Sequence, residues 1–144
     1  LSVHASGGVE MMKKAVLSGK EIFAVTMLTS FSESEVKQIY NRELKEMVLI
    51  LVQMAKEAGV SGVVCSPQEI KLIKNYPEFS NLKIITPGVR SLDANLNDQN
   101  RVSTPAQAIL DGADYLVVGR QVTQSEDPVL EIQKICEEVG EKRE

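Results

Sequence analysis

Gly119 and Arg120 directly follow an apolar run, Tyr115 to Val118, and precede a polar segment, Gln121 to Asp127, that leads into a helical pattern. These residue types in this order suit an anion. Glycine lets backbone N–H groups approach closely, a following helix N-terminus adds a favourable dipole, and arginine offers a planar fork of donors to phosphate oxygens. The plainer alternative is an ordinary strand-to-helix turn carrying a surface arginine. Arg90 and Gln99 can meet the same ligand. They lie in a long polar stretch, residues 88 to 102, and they converge with Arg120 if that stretch folds over the strand ends. Stretches this long within a compact domain are often lids, and a surface loop is the alternative. Thr29 and Ser66 offer hydroxyls to a planar polar ligand, although each also suits a helix cap, Ser66 before Pro67 in particular. His4, the sole histidine, reads more simply as a structural residue than as an acid or a ligand.

The chemistry that the chain lacks is equally informative. It contains no Ser-His-Asp arrangement, no cluster with metal-ligand spacing and no Walker-type glycine loop. Lys13, Lys14, Lys45, Lys56 and Lys134 fall in helical stretches, so chemistry needing a buried lysine acid is not evident. A net charge of −4 argues against nucleic acid as a main partner, because a duplex requires a basic face. No apolar run reaches the roughly 18 residues of a membrane span. Cys65 and Cys136 are far apart and read as reduced thiols of a cytoplasmic protein, Cys65 within an apolar run. Glu137, Glu138 and Glu141 read as a solvated face.

Short apolar runs alternate with amphipathic stretches along the chain. Leu1 to His4, Ile22 to Met27, Gly62 to Cys65, Leu82 to Ile85 and Tyr115 to Val118 read as strands. Their near-continuous apolar character is that of strands covered on both faces. Helices are expected over Val9 to Leu17, Glu35 to Tyr40, Glu43 to Ala58, Ser66 to Lys74, Thr104 to Leu110 and Pro128 to Val139, with a frayed charged tail from Gly140 to Glu144. Leu1 to His4 reads as the end of a strand with no preceding turn or cap, so the expectation is a portion of a longer fold. Units of roughly 25 to 35 residues imply parallel βα repeats. The α/β class expected is a TIM (β/α)8 barrel, of which residues 1 to 144 carry about the last four to five βα units as one C-terminal part of a single domain. A doubly wound sheet is the alternative, although its Gly-x-Gly-x-x-Gly turn is absent. In a barrel the active site occupies the rim at the C-terminal strand ends. His4 and Ser6, Thr26 with Thr29 and Ser30, Ser66, Thr86 to Arg90, and Gly119-Arg120 all fall there.

Taken together, Val3-His4-Ala5-Ser6-Gly7-Gly8, Ala24-Val25-Thr26-Met27-Leu28-Thr29-Ser30 and Gly62-Val63-Val64-Cys65-Ser66-Pro67 form an ordered set. Thr86-Pro87-Gly88-Val89-Arg90, Asp98-Gln99-Asn100-Arg101, Thr104-Pro105-Ala106-Gln107-Ala108 and the stretch from Gly112 to Arg120 continue it. The set resembles the C-terminal part of the bacterial orotidine 5′-monophosphate decarboxylase family over nearly the whole chain. The resemblance implies a homodimeric β/α barrel that converts orotidine 5′-monophosphate to uridine 5′-monophosphate (UMP) and carbon dioxide in pyrimidine biosynthesis, without a cofactor. It implies that Arg90, Gln99, Gly119 and Arg120 hold the phosphate and that Thr29 contacts the pyrimidine edge. Pro87, with residues 88 to 102, would close over the ligand. The family's Asp-x-Lys-x-x-Asp motif, which carries the proton donor, is absent from these 144 residues. The implied partner is therefore the N-terminal half of the barrel, and this chain alone is expected to be inactive. A related sugar-phosphate lyase or synthase and a non-catalytic nucleotide-binding half-barrel are the alternatives.

Overall fold

All five apolar runs form strands, and all are parallel. The structure is a computed structural model and describes residues 1–91 and 103–140. The strands are β1 (Ser2–His4), β2 (Phe23–Val25), β3 (Gly62–Val64), β4 (Lys83–Thr86) and β5 (Tyr115–Leu116). They lie in the order β1-β2-β3-β4-β5. A doubly wound sheet reverses its strand order at a switch point. An unbroken sequential order is instead the arrangement of a β/α barrel wall.

The helices cover one face of this sheet. They are α1 (Val9–Val16), α2 (Glu33–Tyr40), α3 (Leu44–Ala58), α4 (Ile70–Lys74), α5 (Pro105–Leu110), α6 (Arg120–Thr123) and α7 (Pro128–Gly140). In α3, Leu44, Val48, Leu51, Val52, Ala55 and Ala58 recur at helical spacing and are buried. Gly59 ends that helix in the left-handed region, at φ 75°. Helix α2 begins with a reciprocal capping box between Ser32 and Glu35.

Register explains the core. Val3, Ala24, Val63 and Ile84 align in one row across four strands. Ala24, Val63 and Ile84 are wholly buried. The next row, Val25, Val64 and Ile85, points to the opposite face and is only half-buried. The expectation of strands covered on both faces therefore fails for this chain. Five strands do not close a barrel, so the inner face lacks the side chains that would fill it. The same cause shortens and exposes the last strand. β5 spans two residues rather than Tyr115 to Val118, and Tyr115 and Val117 are 47% and 50% exposed rather than buried.

Other differences are local. The segment after Pro67 begins as a 3-10 turn, Pro67–Glu69, before α4. Part of the polar linker expected over Gln121 to Asp127 is drawn into α6. The segments 92–102 and 141–144, which include Gln99, most of the expected lid, and the charged tail, lie outside the described residues. Both cysteines are free thiols, Cys65 buried and Cys136 exposed.

Candidate anion-binding cleft

Two strand-end hydroxyls seal the C-terminal rim. Thr26 Oγ1 donates to the Val64 carbonyl at 3.0 Å, and Thr86 Oγ1 donates to the Cys65 carbonyl at 2.8 Å. Both threonines are buried. Their side chains extend the backbone ladder where the strands end, so part of the polar character read at this rim is structural. Ser66 is likewise occupied. Its Oγ accepts from the Gln68 N–H, while its own N–H donates to Glu69 Oε2 at 3.0 Å. The capping alternative for Ser66 is the geometry observed. His4 ends β1 and is exposed at the rim.

Beyond Thr86 the chain turns through Gly88 at φ 76°, a conformation that favours glycine. The turn presents Val89 and Arg90 beside the end of β5. Val89 forms a parallel bridge with Ser103, the Arg90 N–H donates to the Ser103 carbonyl at 2.9 Å, and the Ser103 N–H donates to the Gly88 carbonyl at 3.3 Å. Arg90 is 8% exposed. On the other side, Gly119 caps α6, and its carbonyl accepts from Val122 and Thr123 at 2.9 and 3.0 Å. Backbone N–H groups in a first helical turn have no acceptor within the helix. Arg120 opens that turn.

These two segments enclose a cleft of about 180 Å³ lined by Pro87, Gly88, Val89, Arg90, Val117, Gly119, Arg120 and Gln121. Complete small-molecule sites occupy roughly 300 to 1,000 Å³, so this space suits part of a ligand. Of the residues singled out in the sequence, Pro87, Arg90, Gly119 and Arg120 come together here. Thr29 does not line the cleft. It sits half-buried in the turn after β2, on the same rim but with β3 between its strand and β4. Two arginines, a glycine and a helical first turn thus line one small space, residue types whose chemistry suits an anion.

A larger depression of about 420 Å³ lies between α1 and α3, lined by Glu10, Lys13, Lys14, Val16, Leu17 and Ala58. It adjoins the C-terminal ends of both helices, which in a βα unit lie at the opposite rim from the strand C-termini. Barrel enzymes place their chemistry at the strand C-termini, so the smaller cleft is the better candidate.

Sequence reasoning missed the residues behind the cleft. Glu138 was expected on a solvated face, but it is half-buried and bonded on both oxygens. Its Oε2 accepts from Ser91 Oγ at 2.7 Å and its Oε1 from the Ala106 N–H at 3.3 Å. Glu137 is exposed as expected, and Glu141 lies outside the described residues. Gln121 also joins the cleft wall. The only available signal for Glu138 was helical phase: it lies three residues after Ile135, which α7 buries.

A parallel sheet in sequential order, with a small cleft lined by Arg90 and Arg120 at the C-terminal ends of its last two strands, defines a portion of a β/α barrel. Residues 1–135 match the model of the orotidine 5′-phosphate decarboxylase / HUMPS family, and the chain belongs to that family. The chain is 46% identical to an orotidine 5′-phosphate decarboxylase of Streptococcus pneumoniae, over 95% of this chain and 60% of the relative. It is 40% identical to the enzyme of that name from Idiomarina loihiensis, over 98% of this chain and 64% of the relative. Among solved structures, orotidine 5′-phosphate decarboxylase from Lactobacillus acidophilus superposes with a TM-score of 0.78 at 32% identity, covering 96% of this chain and 62% of that one. The fold is thus a partial TIM barrel, and the chain spans about 60% of the length of the relatives it matches.

Proposed function

We propose that residues 1–144 are the C-terminal part of a single (β/α)8-barrel domain that decarboxylates orotidine 5′-monophosphate to UMP in pyrimidine biosynthesis. The observation that carries this reading is the cleft. Four family-motif residues separated by up to 33 positions, Pro87, Arg90, Gly119 and Arg120, line one small space at the strand C-termini. In this reading Arg90, Gln99, Gly119 and Arg120 hold the phosphate, Thr29 meets the pyrimidine edge, and Pro87 leads into the segment that closes over the ligand. Phosphate binding far from the reacting carbon then supports closure and stabilises the carbanion that remains when carbon dioxide leaves. The proton that completes the product comes from the Asp-x-Lys-x-x-Asp motif, which these residues lack. The chain therefore supplies binding, and the N-terminal half of the barrel supplies the acid. A cytoplasmic homodimer without a cofactor completes the proposal.

Relatives at 40% and 46% identity carry the decarboxylase name, which favours this reading over a sugar-phosphate lyase or synthase. The test is calorimetric binding of UMP, uridine and a pentulose phosphate to the full-length polypeptide, together with assay of carbon dioxide release from orotidine 5′-monophosphate. UMP should bind much more tightly than uridine, and turnover should be measurable. Tighter binding of the pentulose phosphate, with no decarboxylation, would overturn the proposal.

A further inference from the structure

Helices α6 and α7 grip a single residue next to Arg90. The Ser91 N–H donates to Gln121 Oε1 at 3.1 Å, and Ser91 Oγ donates to Glu138 Oε2 at 2.7 Å. Each gripping side chain is itself held at its other end. Gln121 Nε2 donates to Glu131 Oε1 at 2.8 Å, and Glu138 Oε1 accepts from the Ala106 N–H at the start of α5. Resting on the phosphate reading above, we infer that Gln121 and Glu138 are positioning residues that fix Ser91, and through it Arg90, so that Arg90 and Arg120 address one phosphate together.

The chemistry of the network supports this role. The orientation of the Gln121 amide is determined by its partners. Flipping it would set N–H against N–H at Ser91 and oxygen against carboxylate at Glu131. With both ends of the amide engaged, the Gln121 side chain is a strut rather than a ligand, although the residue lines the cleft. The grip is also long-range. Its bonds join positions 30 and 47 residues apart, so local backbone preference cannot produce it. The backbone on the other side of Arg90 is fixed as well, by the bonds between Gly88, Arg90 and Ser103. Ordering backbone costs conformational entropy when it happens on binding. A segment already held on both sides has met that cost during folding, which is what preorganisation means for an anion site.

The test compares full-length wild type with Gln121→Met, Glu138→Met and Glu138→Gln. Calorimetry gives the dissociation constants for UMP and for uridine, and thermal unfolding is recorded for each variant. Methionine keeps side-chain length without the bonded groups, and glutamine at 138 restores one acceptor. The ratio of the uridine constant to the UMP constant isolates what the phosphate contributes. That ratio should fall about tenfold in Gln121→Met and Glu138→Met, about one charge-assisted hydrogen bond, with uridine binding unchanged. Glu138→Gln should recover part of it. An unchanged ratio, or equal weakening of both ligands alongside a lower melting temperature, would leave these residues with a purely structural role and overturn the inference. If Gln121→Met fails to fold, the two Glu138 variants carry the comparison. If wild type itself does not prefer UMP, the phosphate reading fails and this inference falls with it. If wild type prefers UMP and the variants keep that preference, only the positioning role is lost.

Discussion

Arg120→Ala separates ligand binding from folding more cleanly than any other change at the cleft. Arg120 is half-buried at the first position of α6, a four-residue helix. The backbone bonds of that turn run from Val122 and Thr123 to Gly119 and from Gln124 to Arg120, so alanine leaves them in place. Alanine also forms helix at least as well as arginine. The cost to folding should be on the order of 1 kcal/mol or less, as for a partly exposed charged side chain. The cost to a phosphate is larger. A hydrogen bond to a charged partner contributes about 1.5 to 3 kcal/mol, which weakens UMP about 10- to 150-fold. Binding is not abolished, because Arg90 remains on the opposite wall of the cleft. Arg120→Lys should fall between wild type and alanine, keeping the charge but losing the planar fork. The assay is titration calorimetry of the full-length polypeptide with UMP and with uridine, at two ionic strengths. Uridine affinity should stay within about twofold, and the salt dependence of UMP binding should shrink in the variant. If uridine were weakened as much as UMP, Arg120 would not be acting on the phosphate, and the anion argument for this cleft would fail.

Three further outcomes test the fold that positions the cleft. A β-carbon on Gly62 would stand 2.2 Å from the Lys83 carbonyl oxygen and 2.8 Å from Phe23 Cε1. Backbone cannot rotate away, so Gly62→Ala should cost about 2 to 3 kcal/mol in urea unfolding, and near-neutral stability would refute the strand register. Ser32→Ala removes the reciprocal cap of α2 and should cost about 1 kcal/mol by the same assay, whereas a change of only a few tenths would mean that the capping box does not form in solution. Glu21 bonds Lys83 across β3 at 2.6 Å, and that hydrogen bond holds the Glu21 carboxyl below its ordinary value of 4.5 while holding Lys83 above 10.5. A lowered carboxyl stabilises the fold above its unfolded value and loses that contribution as pH falls through the folded one; a raised lysine loses its contribution as pH rises through the folded value. The stability difference between wild type and Glu21→Gln should therefore be constant near neutrality and close as pH falls below about 4.5, and a difference that persisted in acid would exclude the ion pair as its source.

Much of the fold was legible because its signals are local. The periodic burial of α3, the Thr104 cap and the left-handed glycine after α3 all follow from neighbouring residues, whereas the Ser32 cap starts α2 at Glu33, two residues before the expected Glu35. The strands were legible as apolar runs, but their exposure was not. Whether Val25, Val64, Ile85 and Tyr115 face a filled interior depends on strands that these residues do not include. The cleft was half legible. Arg90 and Arg120 follow strands and stand beside glycines or strand-end turns, which is a readable pattern. Gln121 and Glu138 have no such pattern, because they act through contacts 30 and 47 residues away. Thr29 was read from its hydroxyl after the second strand as well as by resemblance, and it lies across β3 from the cleft.

The acids behind the cleft present an electrostatic problem whose answer explains why the network takes the form it does. Two carboxylates near a phosphate site oppose an anion unless their charge is engaged elsewhere. Glu138 directs one oxygen to Ser91 Oγ and the other to the first turn of α5, where the helix dipole favours negative charge. Glu131 accepts from Gln121 and lies 3.7 Å from Lys134. Each acid thus accepts hydrogen bonds from neutral donors, and Glu131 also lies near a lysine. What reaches the cleft is their geometric effect, transmitted through Ser91 and the Gln121 amide. A neutral side chain in place of Glu138 would remove repulsion but also remove the stronger, charge-assisted bond that fixes Ser91. If Arg90 and Arg120 hold an anion as proposed, the fixed position of Ser91 is what a hydrogen-bonded carboxylate at 138 gains over a neutral side chain, against the repulsion its charge retains.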